Sequence, residues 1–326
     1  MVESHNLNQL TRIVEAASRI VVTSHANCGD ATGSVVAVTR MLRARGKFVL
    51  PVLPAPVPKV FRFLANTEEI GLASEVNLQG FDLLLCVDAA EPWMTGLAQQ
   101  LSTPPQGLTV VNFDHHLTNP GYGDVNVLDK GAAATCAMLY EWFRSAGWSI
   151  DRESATALVT GIFIDTGTFS NPATNPAALA TASDLLLRGA NVPRILREVA
   201  RNRTLAELKL WGRAFERLRE HPTLGIVSTV VTLADMAEFG VESLEGVANF
   251  LNELAGYRAV LVLKEQPDGT VKGSLRTTRE DVDVAAVAKL FGGGGHRKAA
   301  GFSLSGKLVE TAQGWKVDEP IKLNLS

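Results

Sequence analysis

The sequence predicts an α/β protein: a larger N-terminal domain with a mainly parallel sheet flanked by helices, a linker helix, and a smaller C-terminal α/β domain. Three observations point there. Apolar runs alternate with helical patterns over the first 190 residues. The strongest runs, at 20–22, 83–87 and 110–113, are apolar at nearly every position, as strands buried on both faces are. The 326 residues also suffice for two cores of ordinary size.

Hydrophobic residues make up 46% and charged residues 20%, the composition of a folded chain rather than a disordered one. A net charge of -3 gives no general pull toward a polyanion, which speaks against long nucleic acid on an extended surface and leaves small anionic substrates open. Cys28, Cys86 and Cys136 are odd in number and lack C-x-x-C spacing, so neither a disulfide framework nor a structural zinc site is expected. The N-terminus is polar and no apolar run approaches about 18 residues, so the expectation is a cytoplasmic protein with no membrane partner.

Taken in order, a first amphipathic helix covers about 10–17 and a strand covers 20–25, ending in Ser24 and His25. A loop holding Asp30 leads into a helix over about 35–45. A second strand at 48–53 runs into the proline-rich stretch 51–58, and the run 81–88 is a third strand, ending in Asp88. The fourth, from Val110, delivers Asp114-His115-His116 just before turn residues 117–121. Residues 124–128 read as a short edge strand and 132–146 as a helix with Leu139, Trp142 and Phe143 on its apolar face. A helix from about 154 passes into an apolar run ending in Asp165, and another covers 176–188. The organisation is thus residues 1–190, a linker helix within 191–221, and 222–326. The linker shows Leu208, Trp211, Phe215 and Leu218 at helical spacing, a packing stripe with no chemistry assigned. The last segment has strands near 224–231, 257–264 and 271–277 and helices near 241–254 and 284–291. It then reaches four glycines, Gly292–Gly295, and His296, Arg297 and Lys298, a backbone that can approach a phosphate beside cationic donors.

Each polar feature has a bland explanation: a carboxylate near a helix start for Asp30, a turn former for Asp165, a flexible loop for the glycines. Together they are harder to dismiss. His25, Asp88 and Asp114–His116 each end an apolar strand, and open α/β sheets bind ligands at the carboxyl ends of their strands. One sheet edge carrying Asp30, Asp88, Asp114 and Asp165 would hold more carboxylates than could ionise together without a divalent cation. Oxygen and imidazole donors without thiolates suit Mn²⁺ or Mg²⁺, with Zn²⁺, Fe²⁺ and Co²⁺ as alternatives.

These motifs resemble the DHH phosphoesterases that carry a DHHA1 second domain, among them the bacterial nanoRNases and 3'-phosphoadenosine 5'-phosphate phosphatases. The resemblance rests on His25 with Asp30-Ala31-Thr32-Gly33-Ser34, Val87-Asp88, Asp114-His115-His116 with Asn119, Gly161 through Gly167, Gly273 through Arg276, and Gly292 through Gly301. It covers nearly the whole chain. It implies a two-metal hydrolase, with Mn²⁺ as the expected ion and Mg²⁺ or Co²⁺ as alternatives, attacking phosphorus through metal-activated hydroxide. Asp88 would bridge the ions, His25 would serve the first, and Asp30, His115 and Asp165 would serve the second. Asp114 would orient an imidazole and His116 would face the scissile phosphate or the leaving group. Asn119, Arg276, Gly293, Gly294, Gly295 and His296 would bind substrate: a very short oligoribonucleotide, 3'-phosphoadenosine 5'-phosphate, or a linear or cyclic diadenylate. A homodimer is also implied.

The first motif departs from the family's H-x-x-P-D-x-D-A-x-G-S form. Only Ala26-Asn27-Cys28-Gly29-Asp30 separates His25 from Ala31, so the loop is one residue shorter and the first of two aspartates has no counterpart. The first ion would keep only His25 and Asp88, unless Asn27 or Cys28 moves in or Asp30 bridges. Two readings follow: an active phosphodiesterase or phosphatase, and a nucleotide-binding protein with weakened or lost catalysis.

Overall fold

The computed structural model describes residues 4–200, 204–241, 246–312 and 314–318. Two compact units emerge, Met1–Asn202 and Arg203–Ser326. The first contains, in chain order, α1 (Ser4–Ala16), β1 (Arg19–Thr23), α2 (Gly29–Arg43), β2 (Phe48–Leu53), β3 (Gly71–Leu72) and β4 (Leu83–Val87). It continues with α3 (Ala98–Ser102), β5 (Thr109–Asp114), β6 (Val125–Leu128), α4 (Thr135–Ser145), α5 (Arg152–Asp165), α6 (Pro176–Leu187) and α7 (Val192–Ile195).

Its six strands form one sheet in the order β3-β2-β1-β4-β5-β6, with every neighbouring pair parallel. Both faces are covered, and successive residues serve opposite faces. Ile20, Val22, Leu83, Leu85 and Phe113 pack into the core shared with α2, α4 and α5. Val21, Leu84, Cys86 and Val110 pack into a second cluster with Leu78 and Leu97. That two-sided burial is why these strands read as continuous apolar runs. The chain winds outward from β1 to β3 and then returns to lay β4 against the other side of β1. The registers Thr23↔Cys86 and Val87↔Phe113 bring the carboxyl ends of β1, β4 and β5 level. The crevice at this reversal of strand order is where a doubly wound sheet takes its ligand.

Some expected elements shift. The helix expected from 35 begins at Gly29, because Cys28 is extended (φ -124°, ψ 147°) and ends the loop early. Asp30 therefore stands in the first helical turn. The helix expected from about 154 starts at Arg152 and continues through the apolar run to end at Asp165. Residues 194–220 do not form one helix. A single π-turn covers Leu196–Ala200, residues 201–203 lie outside the described set, and a Thr204–Glu207 capping box starts a new helix.

The second unit contains α8 (Leu205–Glu216), β7 (Arg219–His221), β8 (Ile226–Val231), α9 (Leu233–Phe239), α10 (Val247–Leu251), β9 (Ala259–Glu265) and β10 (Thr270–Arg276). It ends with α11 (Val284–Leu290), β11 (Gly294–His296), β12 (Ala299–Ser305) and a hairpin of β13 (Leu308–Thr311) and β14 (Gly314–Val317). The main sheet runs β11-β12-β10-β9-β8-β7 and is mixed, with only β8 and β9 parallel. The glycine run, expected as a loop, supplies the edge strand β11. A Cβ on Gly293 would stand 2.2 Å from the Gly301 carbonyl, and one on Gly295, at φ +137°, would stand 2.6 Å from the Ala299 carbonyl. Close packing on β12 therefore explains two of the four glycines.

Asp235 ties this unit together. Buried in the capping box of α9, it accepts from Arg217 at 2.5 and 3.0 Å and from Arg213 at 3.2 Å. Burial would raise its carboxyl pKa, but Arg217 and Thr232 outweigh burial and hold it below the ordinary value. A depressed carboxyl stabilises the fold above its unfolded pKa of about 3.9 and loses that contribution as pH falls through the folded value. Asp235→Ala should therefore destabilise the second unit by roughly 2 kcal/mol at pH 7. The penalty should shrink as pH falls below the ordinary carboxylate range, and melting curves of both proteins across pH check this.

Candidate metal centre

The short segments following β1, β4 and β5 and the ends of α2, α4 and α5 converge on one group of side chains. His25 Nε2 lies 3.2 Å from Asp88 Oδ2. His115 Nε2 lies 3.2 Å from Asp165 Oδ2, 3.6 Å from Asp88 Oδ1 and 4.0 Å from Asp30 Oδ2. Ligand atoms of His25, Asp88 and His116 lie within 4.8 Å of one another, and so do those of Asp30, His115 and Asp165. The structure thus brings together all seven residues of the expected metal and catalytic set, Asp114 included. Near the shortened loop His116 stands beside His25 and Asp88, with its Nδ1 turned to Asp114. Cys28 belongs to neither triad, and burial, reinforced by the nearby carboxylates, pushes its thiol pKa far up.

Backbone placement explains much of this. Asp88 adopts φ +55°, a left-handed conformation rare outside glycine, while its amide donates to the Phe113 carbonyl at 2.9 Å. The next carbonyl, Ala89 O, is held by Asn112 Nδ2 and the Tyr122 hydroxyl, each at 3.1 Å. Asp30 is fully buried, and its two oxygens accept from the Thr135 amide at 2.6 Å and the Cys136 amide at 2.9 Å, the open N-terminus of α4. Two glycines let α2 and α5 approach closely enough for this. A Cβ on Gly33 would meet the Ala157 carbonyl at 2.5 Å, and one on Gly161 would meet Asp30 Oδ1 and Cys136 Sγ at 2.4 Å. Gly161→Ala should push Asp30 off α4, costing on the order of 1–3 kcal/mol and weakening divalent-ion binding. Thermal melting and metal titration of the variant check it.

All three imidazoles are oriented alike. Nδ1 faces the Ala26 carbonyl in His25 (2.9 Å), the Ala132 carbonyl in His115 (3.2 Å) and Asp114 Oδ1 in His116 (2.7 Å). In this orientation Nδ1 carries a hydrogen, and Nε2, once free of its proton, can offer its lone pair, the arrangement that metal-binding histidines adopt. Asp114 is itself clamped, since its other oxygen accepts from Asn119 Nδ2 at 2.6 Å. Asn119, expected at the substrate, is buried and its Oδ1 accepts from the Gly121 amide at 2.8 Å. It is placed to orient Asp114.

The electrostatics fit a cation. Asp88 Oδ2 is buried and has no hydrogen-bond partner among the described residues. Burial, then the charges of Asp88 and Asp165, push the Asp30 carboxyl well above its ordinary pKa. Burial would lower the His115 pKa, but the Asp165 hydrogen bond and the charges of Asp30, Asp88 and Asp165 push it up to about 10. His25 is raised in the same way: burial is opposed and outweighed by Asp88. The cluster holds protons where carboxylates crowd, and a divalent ion would displace them. Three carboxylates, three imidazoles and no thiolate in either triad match the donors of Mn²⁺-type ions.

In the second unit, Arg276 ends β10, half buried, with Nε donating to Asn249 Oδ1 at 2.9 Å and Nη1 to the Leu275 carbonyl at 2.9 Å. Burial lowers its pKa. Gly294 has an open face, with nothing within 4 Å of an added Cβ. The side chain of His296 lies outside the described residues.

A family model described as the DHH family, N-terminal domain, matches residues 19–162, and a DHHA1 domain model matches residues 227–315. Over 284 residues the chain is 32% identical to the bifunctional oligoribonuclease and PAP phosphatase NrnA of Thermus thermophilus, spanning 87% of this chain and 83% of that one. Among solved structures, an exopolyphosphatase-related protein from Bacteroides fragilis matches with a TM-score of 0.87 at 22% identity, over 94% of this chain and 93% of that chain. RecJ of Thermus thermophilus in complex with Mn²⁺ matches with a TM-score of 0.51 at 17% identity, over 93% of this chain and 52% of that chain. The two structural likenesses concern the fold.

Proposed function

The chain belongs to the DHH family and carries a DHHA1 domain, and from that premise we propose that, as a metal-dependent phosphoesterase, it hydrolyses short oligoribonucleotides and 3'-phosphoadenosine 5'-phosphate. The observation that carries this reading is the pair of ligand triads flanking the buried Asp88, whose Oδ2 lies 3.2 Å from His25 Nε2 and whose Oδ1 lies 3.6 Å from His115 Nε2. The relative's activities on oligoribonucleotides and PAP supply the substrate class.

His25 and Asp88 would hold one ion, and Asp30, His115 and Asp165 the other, with Asp88 between them. When bound, divalent ions supply Lewis-acid polarisation of the phosphoryl group and lower the pKa of water. The rest falls to the protein. Asp114 accepts a hydrogen bond from His116 Nδ1 and fixes the ring, and that bond raises the His116 pKa over the opposing effect of burial. His116 can then carry a proton on Nε2 and give it to the leaving oxygen. Arg276, with Gly293–Gly295 and His296, would bind the distal part of the nucleotide. Arg276→Ala should therefore raise KM more than it lowers kcat, while an equal loss in kcat and kcat/KM would place Arg276 at the transition state.

A panel of dinucleotides, longer oligoribonucleotides and 3'-phosphoadenosine 5'-phosphate, assayed with Mn²⁺, Mg²⁺ and Co²⁺, tests the proposal. Cleavage of the shortest substrates, fastest with Mn²⁺, is expected. Binding of at most one Mn²⁺ per chain at saturation, with dinucleotides and the bisphosphate left intact, would overturn it. That outcome would favour a nucleotide-binding protein with lost catalysis, the reading that the absence of a carboxylate from residues 26–29 supports.

A further inference from the structure

Thr135, the first residue of α4, is fully buried and touches two of the carboxylates at once. Its hydroxyl donates to Asp88 Oδ1 at 2.9 Å, and its amide donates to Asp30 Oδ2 at 2.6 Å. The two acids come from different elements, 58 positions apart, Asp30 in the first turn of α2 and Asp88 after β4. We infer that Thr135 is a positioning residue that sets the placement of Asp30 and Asp88 relative to each other and thereby the affinity of the centre for its ions. The inference rests on the metal-dependent reading above.

A terminal carboxylate turns easily about χ2, so a lone Asp88 could offer either oxygen in many orientations. The Thr135 hydroxyl engages Oδ1 and leaves Oδ2 toward His25. It also places a donor between two carboxylates that would otherwise face each other. The α4 N-terminus contributes further. Ala134, at its N-cap, has no side-chain acceptor, and Asp30 takes the Thr135 and Cys136 amides in its stead. Thr135 does not cap its own helix. Its β-branched, buried side chain is stiff at χ1, which holds the hydroxyl on Asp88.

Thr135→Val removes the hydroxyl and keeps the amide and the branched shape, whereas Thr135→Ser keeps the hydroxyl. Mn²⁺ binding, followed by the free-ion EPR signal and by calorimetry, is compared in the full chain with wild type, alongside metal-free melting. Thr135→Val should bind Mn²⁺ about 10–100-fold more weakly, the usual effect of losing a partner of a metal ligand. Thr135→Ser should stay within about threefold of wild type, and raised Mn²⁺ should restore much of the turnover of Thr135→Val. A lowered melting temperature with unchanged Mn²⁺ affinity would show a purely structural role and overturn the inference. A wild-type protein that binds no Mn²⁺ would instead overturn the metal-dependent reading itself.

Discussion

Asp88→Asn should lower turnover by at least about 10³-fold, since the stabilisation supplied by ions at such a centre is worth several kcal/mol. Asparagine is the informative replacement. Asp88 sits at φ +55°, a conformation in which Asn is enriched and Ala is strained, so the backbone that carries the side chain should persist. The Thr135 hydroxyl can still donate to an amide oxygen at this position. What disappears is the charge that stands between the two triads, 3.2 Å from His25 Nε2 and 3.6 Å from His115 Nε2. The wild-type protein should gain roughly 2.7 kcal/mol of stability from Mn²⁺ at a hundred times its Kd, and the variant should gain little. Without metal the order should reverse or vanish. The substitution removes one charge from the crowd of Asp30, Asp88 and Asp165, so metal-free Asp88→Asn should melt at or above wild type. Thermal shifts with and without Mn²⁺, set beside turnover, separate the two effects. An unchanged turnover, or an unchanged Mn²⁺ stoichiometry, would remove Asp88 from the position between the ions.

The residues that sequence reasoning found most easily share one property: each follows a strand that is buried on both faces. His25, Asp88 and Asp114–His116 stand out because the apolar runs before them are unbroken, and a parallel sheet puts all such ends on one edge. Asp165 also ended an apolar run, but there the element is a helix. Residues 154–163 of α5 are buried all round, which erases the 3.6-residue period that separates a helix from a strand. Asp30 was visible as a residue, but its anchoring on α4 was not, because its partners are backbone amides 105 and 106 positions away. Thr135 lies in the bland stretch Ala132-Ala133-Ala134-Thr135-Cys136-Ala137, which carries no motif of its own. The resemblance alone puts Asn119 at the substrate; the fold shows it holding Asp114. In the second unit, Gly294–His296 pairs as a strand against its own propensity, because β12 offers a ladder and space for nothing larger than glycine at positions 293 and 295.

Asp114→Asn should cost on the order of 10²–10³-fold in kcat, the share that a positioned proton donor commonly supplies, while leaving Mn²⁺ stoichiometry intact. The carboxylate accepts on both sides, from His116 Nδ1 at 2.7 Å and from Asn119 Nδ2 at 2.6 Å. An amide has one accepting oxygen and cannot serve both. If it keeps its oxygen toward His116, its NH₂ group faces the NH₂ of Asn119; if it turns, the His116 ring loses its acceptor and its fixed tautomer. The charge is lost in either case. Burial acts to raise the Asp114 pKa, but the bonds from His116 and Asn119 hold it below the ordinary value, so the group is ionised at neutral pH. That charge lets His116 keep its proton to higher pH than a free imidazole. With the charge removed, His116 should deprotonate at lower pH, so the alkaline limb of the kcat profile should move toward acid. A second substitution, Asn119→Asp in the Asp114→Asn background, gives the amide an acceptor for its NH₂ group and restores the orientation while placing the charge one step away. The double variant should recover part of the lost turnover. If it recovers none and the limb stays where wild type has it, His116 is not the proton donor, and the Asp114–Asn119 pair serves only to brace the turn after β5.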